Sequence, residues 1–398
     1  MTANNVAPTL RVGVVGAGAR SHLALKAETA ANRGKIVAVV DPSPDTPRRM
    51  KLRLGREVPW YQTVPEMISA GVDVAFVTSP DDTHDTVTVQ LLEAGIPVYL
   101  EKPLAITLTG ANEILEAAYR SGTRLYVGHN MRHMNVVRQM RQIIQRGEIG
   151  EVKAIWCRHF VGSGGDFYFK DWHSQRRHVN GLLLQKAAHD IDVMHWLAGS
   201  YTEQVVGMGG LTVYNQVTAR GGQGDKLMSE WHSLDNWPPL SQTGLADVID
   251  VEDLSMMLLR LESGVFASYE QCHYSPDYWR NYTVIGTEGR LENFGDSEGG
   301  VIRVWNQRTY YNPDGDRQYP IVGDAQGHND ADQLTVDEFI RFVRYGDSTD
   351  TSPLGAWHAV AAGIAATDSL RQGSTPRHIS APPAKLRKYF ESNQQRIS

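Results

Sequence analysis

The first third of the chain alternates short apolar, β-branched runs with longer stretches in which apolar residues recur every three or four positions. Parallel strands joined by crossover helices produce that alternation, because a tight turn cannot connect two parallel strands. The pattern predicts strands at Arg11–Val15, Ile36–Val40, Val74–Thr78, Val98–Leu100 and Leu125–Val127. Helices are predicted between them, among them Asp85–Ala94, stopped by Gly95, and Ala111–Tyr119, with Gly122 shortly beyond. A glycine just past a helix can take the left-handed conformation that ends it.

After Gly128 the pattern changes. Val136, Met140, Ile143 and Ile144 share one face of a helix over Val136–Gln145, and strand-like sequence follows from Val152. A buried helix is predicted over Leu183–Ala198, ended by Gly199, with strands at Leu254–Leu261, Val265–Gln271, Tyr282–Ile285 and Val301–Trp305. These strands lack the intervening helix that parallel pairing demands, so their sheet is expected to be largely antiparallel. Helices at Val336–Tyr345 and Ala356–Leu370 close the pattern, and the tail from Gln372 is polar. Thr218–Gly244 is a long, Gly-rich polar insertion containing Trp231, His232 and Trp237; loops of this length are usually functional or disordered. The expectation is an α/β chain in two parts. A doubly wound, parallel Rossmann domain spans 1–128, and an α+β domain with a large, open, mainly antiparallel sheet spans 129–398. The closing helices, within 333–371, are free to pack back on the first part.

A length of 398 residues suits two cores better than one. No apolar run approaches the ~20 residues that a membrane-crossing helix requires, which argues against a membrane partner. The net charge is -6 and the basic residues are scattered, leaving no electrostatic footing for a nucleic acid. Met1–Thr9 is polar without the basic and apolar blocks of an export signal, and Cys157 and Cys272 lie far apart. A reduced, cytoplasmic setting is the expectation.

Gly16-Ala17-Gly18-Ala19-Arg20-Ser21 follows the first strand and opens a helical segment. The first glycine permits a tight turn, and the second lets backbone N–H groups approach a pyrophosphate at a helix N-terminus. Ser21 replaces the usual third glycine and is small enough to keep helix and strand close. Asp41 ends the next strand about ~20 residues on, where a carboxylate accepts hydrogen bonds from ribose hydroxyls and repels a 2′-phosphate. The cofactor read from these residues is NAD; Arg48 and Arg49 keep NADP as the alternative.

Thr78-Ser79-Pro80-Asp81-Asp82-Thr83-His84 and Glu101-Lys102-Pro103 each follow a strand, so both lie at the carboxyl edge of the parallel sheet, where open α/β sheets bind ligands. Further on come Asn130-x-Arg132, Ile149-Gly150-Glu151-Val152, and His189 with Asp192. Together with the Gly-rich turn, Pro80 spaced to His84, and the Glu-Lys-Pro tripeptide, this order resembles the glucose-fructose oxidoreductase, inositol dehydrogenase and rhizopine catabolism family, Gfo/Idh/MocA. The resemblance runs from about Arg11 to Leu370 and is weakest across the insertion.

The resemblance implies substrate held in a cleft between the two domains. It assigns Lys102 to contact both cofactor and substrate, and Ser79, Pro80, His84, Glu101 and Asn130 to the cofactor side. His189 is expected to be the general base, since an imidazole titrates near neutral pH. The family more often has an aspartate four residues before this histidine; here that position is Gln185, and the neighbouring Lys186 stands as a third catalytic candidate. Two cations near one histidine would hold it neutral. Asp192 either orients His189 or holds the helix to the sheet. Arg132, Trp172, Arg176, Gln185, Lys186, His189 and Tyr278 are the expected substrate contacts, because aromatic faces and bidentate arginines suit sugar rings.

The 14 histidines also invite a metal reading, at His189, Asp192 and His195 or at His159, His173 and His178, but their spacing does not gather ligands on one helix face. No metal is expected. The leading functional expectation is hydride exchange between NAD and a sugar, cyclitol or sugar derivative. Two alternatives stand beside it: an NAD-dependent glycosidase working by transient oxidation, and a dinucleotide-binding regulator without activity. The resemblance further implies a homodimer or homotetramer formed through the open sheet.

Overall fold

A computed structural model describes residues 8–224, 226–323 and 329–396. Six parallel strands form the first sheet: β1 Leu10–Val15, β2 Gly34–Val40, β3 Trp60–Tyr61, β4 Val74–Val77, β5 Val98–Leu100 and β6 Leu125–Val127. Their order is β3-β2-β1-β4-β5-β6, so the chain reverses direction across the sheet between β1 and β4. That is the switch point at which doubly wound sheets open a crevice. β4 is buried at every position, as a strand covered on both faces must be. The helix Leu108–Ser121 shows how local sequence sets such elements: Thr107 accepts the Gly110 N–H at 3.0 Å at its start, and Gly122 ends it at φ +70°.

The second sheet has nine strands. They are β7 Val152–Phe160, β8 Thr202–Gly210, β9 Leu254–Leu261, β10 Phe266–Cys272, β11 Trp279–Gly286, β12 Arg290–Phe294, β13 Val301–Trp305, β14 Arg317–Pro320 and β15 Arg377–His378. The order is β14-β13-β12-β11-β7-β10-β9-β8-β15, antiparallel throughout except for the parallel pair β7 and β10. Alternate residues of β7 and β9 are buried, so one face packs inward. The inward face carries Ile155, Cys157, Met257, Leu259 and Tyr269 in one core with Ile191 and Met194 of the helix Ala188–Ala198.

The helix Pro353–Arg371 ties the two sheets together. Ala359, Ala362 and Ala366 belong to the core of the second sheet, whereas Leu354, Trp357 and Val360 belong to that of the first. Small residues allow the close approach: a side chain at Gly207 of β8 would collide with the Ala366 carbonyl. The helix Asn329–Tyr345 also reaches the first sheet, burying Val336, Phe339 and Ile340 with Val12, Val14 and Tyr99.

Four features depart from the sequence-based expectations. The segment after the glycine turn, Ala19–Glu28, is a 3-10 helix, consistent with the i to i+3 bond from Ser21 N to Gly18 O at 3.2 Å. The predicted helix Leu183–Ala198 is broken into Leu182–Gln185 and Ala188–Ala198, because Ala187 N reaches back five residues to Leu182 O. β8 was hidden by its three glycines, which blunt the strand pattern. The polar tail contains β15 and a helix, Ala384–Glu391, whose Leu386, Tyr389 and Phe390 are buried on the first core.

Candidate active site

The carboxyl ends of β1 and β4 meet at the switch point. Gly16 takes φ +91°, and a Cβ there would collide with the Ser79 backbone, so only glycine lets the two turns touch. Thr78 Oγ1 donates to Gly16 O at 2.8 Å and fastens them. Gly18 is different: an added Cβ would meet nothing within 4 Å, so its surroundings are open, as a backbone cradle for a pyrophosphate must be. Asp41, half-buried at the end of β2, accepts from Ala17 N at 2.7 Å and Ser43 N at 2.8 Å. These residues therefore fit a dinucleotide.

The remaining residues of the turn serve its rigidity. Ala19 is exposed at the rim. Arg20 pairs with Glu101 at 2.6 Å and Asp332 at 3.0 Å. Ser21 Oγ donates to Gly18 O at 2.9 Å and also meets Arg53, a residue that sequence reading passed over. Along β4 and β5, Ser79 Oγ lies 2.6 Å from Thr83 Oγ1, and Pro80 caps the short turn that follows. His84 places one ring nitrogen 2.7 Å from Pro103 O and the other 3.1 Å from Ser79 O, bridging the two loops. Glu101 accepts the Lys102 N–H at 3.2 Å, and Asn130 Nδ2 donates to Asp332 at 2.8 Å.

Lys102 crosses the cleft. Its Nζ donates to Gln185 O at 3.0 Å, in the break just before the His189 helix. Burial pushes the Lys102 ammonium below the ordinary lysine range, opposed by Asp81 and Glu101. His189 stands beyond that break with Nδ1 buried and unpartnered, and the Gln185 side-chain oxygen is likewise unpartnered. Burial, followed by Lys102, Lys186 and Arg280, holds His189 well below its ordinary pKa. Lys186 falls to about 7, through burial and then repulsion from Arg280 and Lys102.

The carboxylate that organises this side is Asp190. It is wholly buried and receives Tyr282 OH, Tyr269 OH at 3.1 Å, His159 Nδ1 at 3.0 Å and Arg280 at 3.0 Å. Burial opposes its ionisation, yet Arg280 and His159 hold the carboxyl well below the usual carboxylate range. Sequence reading passed over Asp190, because a second aspartate, Asp192, stood at the motif position. Asp192 instead receives Arg132 through two bonds at 2.7 and 2.6 Å, fixing the helix.

The expected substrate contacts divide accordingly. Gln185, Lys186, His189 and Tyr278 gather around the cleft and its adjoining cavity, which is about 580 Å3 in volume and lined in part by Lys186, Tyr278 and Arg280. Arg132 does not join them: it is 5% exposed and all its bonds go to Asp192 and the Asp350 carbonyl. Arg176 is turned to Asp250 and to Glu252 at 3.1 Å, bracing a loop. Trp172 stacks on His173 at 3.7 Å. Asp81, unmarked in the sequence reading, is buried beside Lys102 with one oxygen unpartnered, and burial raises its pKa. Its place in the turn after β4 was the available signal.

Among the described residues one group could be arranged around a cation, His133, Glu338 and Asp350. Arg138 occupies the centre of that group, 2.8 Å from His133 and 2.6 Å from Asp350. No helix among the described residues is long and apolar enough to cross a membrane.

A dinucleotide cradle at the switch point of a parallel sheet, faced across a cleft by a second, mostly antiparallel sheet, defines a Rossmann-type oxidoreductase. The chain matches the oxidoreductase family, NAD-binding Rossmann fold, over residues 10–129 and the GFO/IDH/MocA C-terminal domain over residues 137–292. It belongs to the Gfo/Idh/MocA family, and its first domain is that family's NAD-binding domain.

An inositol 2-dehydrogenase/D-chiro-inositol 3-dehydrogenase of Halalkalibacterium halodurans is 33% identical over 201 residues, 50% of this chain and 55% of the relative. The chain thus spans about half the length of the inositol dehydrogenases it matches. A levoglucosan dehydrogenase solved with NADH and levoglucosan superposes with a TM-score of 0.74 at 17% identity, covering 93% of this chain and 99% of that one. A myo-inositol 2-dehydrogenase from Lactobacillus plantarum gives 0.70 at 18% identity, covering 94% and 100%. At such identities the two solved structures establish the fold.

Proposed function

We propose that this protein is an NAD-dependent dehydrogenase that oxidises a CH–OH group of a sugar, cyclitol or sugar derivative, using Lys102, His189 and Lys186. The observation that carries the reading is the bond from Lys102 Nζ to Gln185 O, which brings an ammonium from the NAD-binding domain to the break just before the helix that bears the imidazole. The inositol dehydrogenases to which the chain is similar, and the levoglucosan dehydrogenase whose fold it shares, support a polyhydroxylated substrate.

Bound NAD supplies a hydride acceptor. The open backbone at Gly18 and the Asp41 carboxylate hold it, and Asp41 disfavours a 2′-phosphate. Arg48 and Arg49 do not offset that preference, since both are paired with Asp45, at 2.6 and 3.0 Å. Lys102 donates a hydrogen bond to the reacting oxygen and favours its anionic form. The alcohol proton passes to the neutral His189–Lys186 pair. Lys186, at about 7, has the better-matched pKa, and His189 has the vacant Nδ1. Burial, with Arg280 held by Asp190 adding to it, keeps both groups short of protons.

A second reading, redox-neutral cleavage of a glycoside through transient oxidation, is favoured by one observation: space continues past Lys186 into a cavity of about 580 Å3. Incubation with NAD and a polyol and glycoside panel separates the two. Net NADH absorbance near ~340 nm supports the dehydrogenase; glycoside hydrolysis without net NADH supports the alternative. Lys102→Ala is expected to lower kcat/KM by about 10^2 to 10^4-fold with NAD affinity retained. Activity unchanged in that variant would overturn the assignment, and silence across the panel with NAD bound would favour a regulator.

The open face of the second sheet supports self-association. Trp156, Leu258 and Phe266 are 52%, 64% and 63% exposed on neighbouring strands, an apolar area that a second copy would cover. Sedimentation is expected to give a dimer or tetramer; a monomer at micromolar concentration excludes it.

A further inference from the structure

The cavity beyond Lys186 is walled by the long insertion, which the proposed reaction does not use. Ser233, Leu234, Asn236, Trp237 and Gln242 line it on one side, and Lys186, Tyr278 and Arg280 on the other. Lys102 and His189 are not among its lining residues and Lys186 is, so the cavity meets the reacting centre at Lys186 and extends away from it.

The wall is built, and its anchor is Asp166. This carboxylate is 2% exposed and accepts from Asn236 Nδ2 at 2.9 and 3.0 Å and from Ser233 N at 3.2 Å, with Lys170 at 2.7 Å. The Asp166 carbonyl accepts Trp231 Nε1 at 2.9 Å. The segment so pinned carries Trp237, 43% exposed, which lines the cavity. Gln242 is 6% exposed, lines the cavity, and leaves its Oε1 with no hydrogen-bond partner. A buried amide oxygen left unpaired is destabilising, and a turn of the Gln242 amide towards the cavity would pair it with a ligand hydroxyl donor.

Charge and size narrow the ligand. Arg280 is taken by Asp190 at 3.0 Å and flanked by Asp296 at 3.8 Å, while Asp166 is matched by Lys170. The other lining cation, Lys186, is lowered to about 7, and Asp277 and Asp296 also line the cavity, so the balance suits a neutral group better than a phosphate, which calls for unpaired cations. About 580 Å3 equals roughly 19 water volumes at ~30 Å3 each, more than the dozen heavy atoms of one hexose fill.

We propose that this cavity is a second subsite, which takes a neutral hydroxylated ring joined to the ring that reacts, so that the preferred substrate is a glycoside or short oligosaccharide. The proposal rests on the dehydrogenase reading only for where the reacting ring sits. The test is calorimetric titration of the NAD-loaded protein with cellobiose, maltose and lactose against glucose, galactose and myo-inositol. At least one disaccharide is expected to bind tenfold tighter than its component monosaccharide. Trp237→Ala and, as a smaller change of shape, Gln242→Leu are expected to bring that ratio towards one.

A ratio near one in the unaltered protein, or a ratio preserved in both variants, overturns the subsite. Failure of the parent reading looks different. Tight disaccharide binding without oxidation or cleavage of any sugar leaves the subsite standing and removes the dehydrogenase, whereas NADH from monosaccharides with a ratio of one does the reverse.

Discussion

The two walls of the cleft are built on opposite principles. On the NAD-binding side, polar side chains mostly find partners within the fold: Arg20 with Glu101 and Asp332, His84 with two carbonyls, Asp41 with two backbone N–H groups. On the facing side, buried Gln185 and Gln242 and half-buried His189 each have an unpartnered atom, and Lys186 is displaced to about 7. Most of the groups on the first wall are satisfied before ligand arrives, although Asp81 and Asn130 each keep one unpartnered oxygen; the second adds unpartnered atoms on the groups that flank the reacting centre. Recognition of a constant cofactor calls for a finished surface, while chemistry on an alcohol calls for displaced pKa values and vacant lone pairs.

Removing one arginine from each wall tests that contrast most strongly. Arg280→Met leaves the wholly buried Asp190 without its cation and is expected to destabilise by ~3–5 kcal/mol. Arg20→Met removes a guanidinium that is 34% exposed from carboxylates that are 7% and 3% exposed, and is expected to destabilise by less, about 1–3 kcal/mol. Urea unfolding of both variants is the measurement; equal losses would dissolve the distinction between the walls.

Acid should act through the second domain. His195, whose Nε2 accepts Thr202 N at 3.2 Å, titrates at about 4 in the fold, and His358, stacked on Tyr201, at about 3. Burial is the main cause for each. The unfolded chain binds these protons near 6.5, so the stabilisation is present above that value and is lost as pH falls towards 4. The loss expected at pH 5 is ~2 kcal/mol per histidine. Denaturation midpoints that do not move between pH 7 and 5 would contradict it.

Lys186→Met should trade activity for stability. With a folded pKa of about 7 against 10.5 unfolded, Lys186 weakens the fold progressively as pH drops from 10.5 to 7, so its removal is expected to raise Tm at neutral pH. Oxidation rates, which need the unprotonated amine, are expected to rise with pH through about 7 in the parent protein and to lose that limb in the variant. A limb that survives assigns the titration elsewhere. The smallest effect belongs to the finished wall: Asp41→Ser is expected to narrow the NAD over NADP preference by roughly tenfold, or ~1.4 kcal/mol, in titrations with each cofactor.

Much of the finished wall was readable along the chain because its parts are local. The Gly16 turn, Asp41, Pro80 to His84, and Glu101 to Lys102 each follow a strand whose apolar run announces it, and strand ends share one edge. The facing wall was readable at Gln185, Lys186, His189 and Tyr278, but not at the carboxylate that organises it. Asp190 was masked by Asp192, and Arg132 looked like a substrate contact until its bidentate pair with Asp192 consumed it. The insertion was legible as unusual, but nothing in its composition tied Asn236 to Asp166, seventy residues earlier.

Periodicity, glycine placement and short motifs, which act over a few residues, determined the class of fold, the NAD-binding edge and the family. The break between Gln185 and Ala188, the depressed pKa of Lys186 and the cavity behind it were decided by tertiary structure alone. Distant segments meet at each: a lysine from the turn after β5 at the break, an arginine from β11 beside Lys186, an insertion pinned to a buried aspartate at the cavity. Burial and charge proximity set those properties, and neither is a function of sequence separation.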